Sequence, residues 1–385
     1  EKNKTVKYFL AGFFFALAFI CKQSGLFFVV FGASIIIIKE FKQKPISSLI
    51  KNITIFSAGF IMPIIIMLAY IYCFGDFNKF WFWTVEYLSK YGNQVPASEA
   101  MTLFKSSLQM ITAGYSSMGY IALWILSLIG IPFIFLTKTS IQNNMIIFSF
   151  FVFSFLTVVP GFHFREHYFV TLLPAMSLTI AVFFEFINNL LSSKFKMPNL
   201  AAIGFLLFLI LAGTGIKANT AYLFTQDPEV SCKLIYGSNP FVESIQVAEF
   251  LKQNTTKDDK IAVLGSEPEI CFYADRYSAS GYIYTYNLVE LHSYALSMQK
   301  QMVKEIEASN PKYFVSVNIG KSWLAPPKSE TYIFTWANEF VKNKYTLVGL
   351  YDVLPNNFSS LKIREQMNNY TPQSQDVIYI FERNK

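Results

Sequence analysis

NITIFSAGFIMPIIIMLAYIYCF, residues 52–74, is the stretch whose reading decides the fold. It runs for 23 residues without a charged side chain. At about 1.5 Å of rise per residue, a helix of that length spans roughly 35 Å, enough to cross the ~30 Å hydrocarbon layer of a bilayer. Six further apolar runs surround it, at residues 6–21, 25–38, 118–137, 144–160, 167–188 and 200–221. The first two are short and meet at Cys21-Lys22-Gln23-Ser24-Gly25, which predicts a tight helical hairpin.

Composition agrees with lipid as the solvent. The 385 residues are 53% hydrophobic and 18% aromatic, with a mean hydropathy of +0.36. Charged residues make up 15%, against about 25% in soluble domains. Forty-one Phe and 22 Tyr exceed what one soluble core needs. The net charge of +7 is unevenly placed: residues 1–221 carry 16 Lys and Arg against 7 Asp and Glu, and the remainder 16 against 18. An excess confined to the apolar half is the positive-inside bias of membrane proteins, not a nucleic-acid footprint. Lys39, Lys42, Lys44 and Lys51 against Glu40 share one loop, Lys138 the next on that side, and Lys194 and Lys196 the third. The intervening loops 75–117 and 161–166 are not basic on balance, so the pattern puts the basic loops in the cytoplasm and residues 222–385 outside. The expected fold is a polytopic α-helical membrane domain of about seven transmembrane helices (1–221) followed by a small extracytoplasmic α/β domain (222–385). The chain starts at Glu1 with no initiator Met and no signal peptide, and an upstream segment is expected.

Within loop 75–117, Phe80, Trp83, Tyr87 and Tyr91 follow helical spacing. Residues 98–112 place Met101, Phe104, Leu108 and Ile111 on one face. Two readings stand: interfacial anchoring, or a roof over a lipid-substrate cavity. Downstream, helical spacing at 241–253 and 288–308 alternates with strand-like runs at 261–264, 313–317, 345–351 and 377–381, which favours a layered sheet. Gly265-Ser266-Glu267-Pro268 after the first strand lacks a Gly-rich phosphate fingerprint. Cys232 and Cys271 either pair or remain free thiols.

The chemistry concentrates in Gly161-Phe-His-Phe-Arg-Glu-His-Tyr-Phe169. Two of the three His of the chain fall here, with Arg165 and Glu166, in a turn between apolar spans. Ionisable groups at a membrane are costly and usually serve a site. Arg presents a planar fork of donors to phosphate oxygens, and His adds donors that charge near neutrality. Lys22, on the same outer side, can join His163, Arg165, His167 and Tyr168 around one anionic headgroup. The plainer reading is a solvated turn with Arg165 reaching to headgroups and Lys22 capping a helix end. Outer-side carboxylates are Asp76, Glu86, Glu99 and Glu166, none in a distinctive context. No H-E-x-x-H, C-x-x-C or Gly-x-Ser-x-Gly pattern occurs, so neither a metal nor another cofactor is indicated. In the soluble part Glu267 and Glu269 follow a strand end, with Tyr282, Tyr284 and Tyr286 nearby, either as sugar-binding groups or as a structural turn and an alternating strand.

Three stretches together resemble the GT-C glycosyltransferases, in particular bacterial relatives of protein O-mannosyltransferases and aminoarabinose transferases. They are Gly12 to Gly25, ending in Lys-x-x-Gly; His167-Tyr168-Phe169 followed by Leu172-Leu173-Pro174-Ala175; and Tyr236 to Phe241 through Val263-Leu-Gly-Ser-Glu-Pro268 to Tyr284. The resemblance implies an enzyme of the bacterial inner membrane. It would transfer a sugar from a polyprenyl-phosphate donor to an acceptor glycan, lipid or protein on the outer face, with inversion. It matches His167 to the His of the family's His-Tyr-Phe and Lys22 to the Lys ending an earlier span. His163 stands where the family often has Arg, and Arg165 is the substitute. Glu166, Glu267, Glu269 and Tyr282 become possible acceptor or sugar contacts. The family's catalytic Asp lies in a first outer loop without a counterpart in this chain, so the chain as it stands is expected to be inactive. The rival readings are a transporter or flippase for an anionic lipid or solute, and a non-catalytic membrane scaffold with a glycan-binding domain.

Overall fold

Helices α1 (Lys2–Cys21), α2 (Leu26–Glu40) and α3 (Ile46–Phe74) form the first bundle of the computed structural model, which describes residues 2–41, 44–113, 118–137, 139–195, 200–354 and 359–384. Lys42, Lys138 and Lys196, three of the loop lysines used above, lie outside the described residues, as does the side chain of Lys194. The predicted hairpin is present. Lys22 adopts one extended conformation (φ −156°, ψ 130°), and a 3₁₀ turn at Gln23–Gly25 leads into α2. Gly25 is required there: a Cβ would lie 2.6 Å from the Ala18 carbonyl oxygen.

Helix α1 lies against α3 through two reciprocal glycines. A Cβ on Gly12 would stand 2.0 Å from the Phe56 carbonyl oxygen, and one on Gly59 2.0 Å from that of Phe9. Such backbone-to-backbone approach is how helices gain contact where lipid removes the hydrophobic drive between them. Glu40 is not a loop charge. It ends α2 at 3% exposure and accepts from Tyr8 Oη (2.7 Å), Asn52 Nδ2 (2.6 Å) and Lys44, tying the three helices together.

The chain continues through α4 (Phe77–Trp81), a π-turn (Phe82–Tyr87), α5 (Leu88–Tyr91) and α6 (Ala97–Ala113). Then come α7 (Met118–Phe133), α8 (Ile141–Leu156), a 3₁₀ turn (Glu166–Leu172), α9 (Leu173–Phe195) and α10 (Leu200–Ala218). Among the described residues, four segments are long and apolar enough to cross a membrane: Lys4–Cys21, Gln23–Glu40, Ile46–Phe74 and Glu166–Ser193. The sequence predicts seven; the other three, Ile121–Phe133, Ile141–Leu156 and Gly204–Ala218, are apolar but shorter. A 16-residue helix such as α8 rises about 24 Å, short of the ~30 Å layer. It ends at Leu156, with Thr157 as its cap, a turn ahead of Pro160-Gly161. Helices α7 and α9 cross closely at Gly130, whose Cβ would lie 2.2 Å from the Thr179 carbonyl oxygen, with Ser127 and Thr179 hydroxyls 2.8 Å apart beside it.

Contacts divide the chain into two units, Glu1–Thr220 and Ala221–Lys385. The second contains α11 (Pro228–Tyr236), α12 (Glu243–Gln253), β1 (Ile261–Leu264), α13 (Pro268–Ala274), α14 (Tyr286–Val289) and α15 (Ala295–Ser309). After these come β2 (Tyr313–Asn318), α16 (Gly320–Trp323), α17 (Tyr332–Lys344), β3 (Tyr345–Asp352), β4 (Lys362–Ile363) and β5 (Val377–Arg383). The sheet order is β1-β2-β5-β3-β4, with β1 and β2 parallel and the other pairs antiparallel. Alternation along β2 places the helices in two layers. Tyr313, Val315 and Val317 join a core with Val247, Leu251 and Ile270 of α12 and α13. Phe314 points the other way, onto Trp336, Phe340 and Tyr345.

Two expectations change. The helix expected over 288–308 is broken between α14 and α15. There the His292 ring takes over backbone partners: Nε2 lies 2.8 Å from the Asn287 carbonyl oxygen, and Nδ1 accepts from the Tyr294 N–H at 3.1 Å. Tyr282 and Tyr284 do not lie in a strand; the segment 281–285 is irregular. Cys232 and Cys271 are free thiols.

Candidate functional site

The turn between α8 and α9 is bent into conformations that ordinary side chains avoid. Gly161, Phe162 and Phe164 have φ of 73°, 55° and 45°. A left-handed L-residue costs about 1–2 kcal/mol, so packing must hold the two phenylalanines in place. Phe164 is 6% exposed, and Phe104 of α6 meets it edge-on at 5.2 Å while also contacting Phe155 and Phe169. The amphipathic α6 is therefore packed on the turn. The contact face is Ala100, Leu103, Phe104 and Ile111; Met101, placed on that face by its spacing, is 60% exposed.

The bend distributes the sequence-predicted residues. Lys22 Nζ sits 4.1 Å above the centre of the Tyr168 ring, a cation–π contact that joins the first hairpin to the turn. His167 stands edge-on to Tyr168 at 4.7 Å. The Tyr168 backbone is held by Thr171, whose hydroxyl donates to its carbonyl at 2.9 Å and lies 2.6 Å from Thr157 Oγ1. His163 turns elsewhere: its ring stacks on Tyr91 at 4.5 Å, with Nε2 3.4 Å from the Tyr91 carbonyl oxygen. Arg165, Glu166 and His167 are exposed. So Lys22, His167 and Tyr168 come together, His163 belongs to a second group, and Arg165 and Glu166 point to the surroundings. His163 also ends a row of rings at helical spacing, Trp83 to Tyr87 (5.2 Å) and Tyr87 to Tyr91 (6.5 Å), running through the π-turn. Asp76 is engaged: it caps α4, accepting from the Lys79 N–H at 3.1 Å, and that bond leads the effects holding its carboxyl below the usual range.

Next to the turn, α9 begins a groove of about 800 Å³ bounded by α7 and α10. Leu173, Met176, Ile180, Phe184, Glu185 and Asn188 line it along α9. Those positions cover about 22 Å of helix. Most of the lining is apolar, but Glu185 enters it and Asn188 Oδ1 is buried without a hydrogen-bond partner. Sequence reasoning did not single out either residue. The available signal was that Glu185 is the one acidic residue inside the apolar run 167–188.

In the second unit the expected sugar-contacting groups face inward. Glu267 is 2% exposed and accepts from Ser322 Oγ at 2.8 Å. Burial pushes its carboxyl up to about 8, the Ser322 bond opposes the rise, and neighbouring Glu269 adds to it. Glu269 is also raised, mainly by burial, and accepts from Ser244 Oγ at 3.0 Å. Tyr282 is 7% exposed and donates to Gln301 Oε1 at 2.9 Å.

No known protein family, curated protein or solved structure matches this chain. Among the described residues no group of His, Cys, Asp and Glu is arranged to hold a metal ion. The chemistry on offer is a set of donors for an anion, Lys22, Arg165 and His167, at the turn that leads into α9, and a mostly apolar groove along that helix.

Proposed function

We propose that the chain belongs to a membrane glycosyltransferase that takes its sugar from a polyprenyl-phosphate donor at the outer face of the bacterial inner membrane, with seven spans and the α/β unit outside. The observation that carries this reading is the meeting of Lys22 and His167 at Tyr168, in the turn that leads into α9, the helix lining the groove. A lipid phosphate needs cationic donors at the interface and an apolar path for its tail, and here the turn that holds His167 runs directly into the helix that lines the groove. In the reaction the acceptor hydroxyl oxygen attacks the anomeric carbon. The bond from that carbon to the phosphate oxygen breaks, and the phosphate leaves with the electron pair. Lys22, Arg165 and His167 stabilise the leaving charge, the kind of preorganised electrostatic contribution that dominates many enzymes. The acceptor proton goes to a carboxylate base, to which no residue of this chain is assigned.

Two measurements test the reading. Native mass spectrometry of the chain should detect bound polyprenyl phosphate, weakened at least tenfold in Arg165→Ala and His167→Ala. In the native membrane the same variants should insert normally yet lose sugar transfer by about 10²-fold or more. Transfer at the unaltered rate in both variants would remove the basis of the proposal. One observation favours a transporter or flippase instead: Glu185 is an ionisable group inside a membrane-length segment, where such residues commonly mark a solute path. Glu185→Gln separates the two, because it would stop lipid or solute movement but leave a transferase active.

A further inference from the structure

At the carboxyl ends of the parallel strands β1 and β2, two loops are locked together from beneath. The Ser266 N–H donates to Ser322 Oγ at 3.0 Å, Ser322 Oγ donates to Glu267 at 2.8 Å, and the Ser266 and Thr285 hydroxyls are 2.9 Å apart. Ser266, Glu267, Thr285 and Ser322 are all buried. Three residues beside them are not buried. Lys321 precedes Ser322, and Tyr284 and Tyr286 flank Thr285, so the buried network sets the position of three side chains above it.

Those side chains are joined in a strip. Tyr284 and Tyr286 meet edge-on at 4.5 Å. Tyr286 Oη donates to the Lys321 carbonyl at 2.6 Å, and Lys321 Nζ donates to the Tyr236 carbonyl at 3.2 Å. Tyr236 meets Phe241 edge-on at 5.0 Å. Gly237 (φ 62°) makes the approach possible, because a Cβ there would stand 2.7 Å from Lys321 Nζ. Tyr284, Tyr236 and Phe241 are 50%, 47% and 36% exposed. Lys321 is exposed too and has no ion pair among the described residues. Lys321 thus links the two ring pairs, through its carbonyl to one and its ammonium to the other, in the position where α/β sheets commonly bind ligands.

We propose that Phe241, Tyr236, Lys321, Tyr286 and Tyr284 form a binding platform for an anionic saccharide. Tyr rings offer flat apolar faces to the C–H face of a pyranose and hydroxyl tips to its oxygens. The Lys321 ammonium, held by one carbonyl, keeps donors for a sugar carboxylate or phosphate. A purely apolar partner would leave that charge uncompensated and costly to cover. The choice of a saccharide rests on the transferase reading, for which this strip would receive the acceptor. In this arrangement Glu267 is a positioning residue that holds Ser322, and through it Lys321, and does not touch the ligand.

The test is calorimetric titration of the full chain in phosphatidylcholine nanodiscs. The probes are tetragalacturonate, a mannose-6-phosphate oligomer, neutral maltotetraose and a hexaglutamate peptide. At least one of the two anionic saccharides should bind, and Lys321→Met, Tyr236→Ala and Tyr284→Ala should each weaken it tenfold or more. Tyr284→Phe should keep most of the affinity, and maltotetraose should bind more weakly. Three results would overturn the proposal: neither anionic saccharide binds, the tyrosine variants bind like the parent, or hexaglutamate binds as well as the saccharides. No lipid donor is present, so the outcome is independent of the Arg165 and His167 transfer assay, and either idea can fail alone.

Discussion

Replacing Glu267 by Gln should remove most of a pH dependence built into the second unit. Burial raises this carboxyl from 4.5 to about 8 in the folded chain. Between those values the folded protein keeps a proton that the unfolded chain has lost. Stability therefore falls as pH rises from about 4.5 to about 8 and levels off above. The gap of about 3.5, at 1.36 kcal/mol per pH unit, amounts to about 5 kcal/mol in total. Gln has nearly the same shape and can still accept from Ser322 Oγ, but it cannot ionise. Glu269, also raised, leaves a slope of the same sign. The assay is hydrogen exchange read by mass spectrometry on the peptides covering 261–264 and 313–318, from pH 5 to pH 8.5, corrected for intrinsic exchange. Near pH 5 the two proteins should be alike. At pH 8 the Gln variant should be more protected, on the order of 10³-fold if opening exposes Glu267. Parallel curves for parent and variant across the whole range would refute the reasoning.

Other perturbations test the packing. Lys233 and Glu243 form a buried ion pair, with Lys233 also donating to the Leu354 carbonyl at 3.0 Å. Lys233→Met should cost about 3–5 kcal/mol by leaving the carboxylate buried and unpaired, and adding Glu243→Gln should recover most of it; thermal melting by circular dichroism reads both. Gly12→Ala puts a Cβ 2.0 Å from a backbone oxygen and should cost about 1–3 kcal/mol. Gly213→Ala, with nothing within 4 Å, should gain up to about 1 kcal/mol from helix propensity. Equal melting shifts in detergent for the two would contradict the close crossing of α1 and α3.

Parts of this architecture were legible before any coordinates because they depend on local pattern. The run at 52–74 falls within the 29-residue helix α3, since an uninterrupted apolar stretch that satisfies its own backbone has few alternatives in lipid. The four long strands appear where β-branched and aromatic residues cluster. The hairpin at Lys22 was legible for the same reason, a polar interruption ending in Gly. The apolar runs 118–137, 144–160 and 200–221 outlast the C-termini of α7, α8 and α10, because an apolar run continues past the residue at which helical hydrogen bonding stops. Met101 lies on the exposed flank of the α6 stripe, because periodicity identifies a stripe but not which flank of it meets a neighbour.

The candidate site shows the division most clearly. Composition and charge placement by themselves determined that residues 1–221 are suited to lipid and that the ionisable groups of residues 161–169 are unusual there. Burial free energy is a property of side-chain type, so it can be read one residue at a time. Tertiary structure alone decided that Lys22 meets Tyr168 while His163 meets Tyr91, that Glu185 opens into a groove, and that Glu267 and Tyr282 face inward while Tyr284, Tyr236 and Lys321 stay exposed. These are contacts between segments far apart in the chain. They depend on helix crossings set by Gly12, Gly59 and Gly130 and on side-chain bonds such as Ser322 to Glu267, which no periodicity encodes.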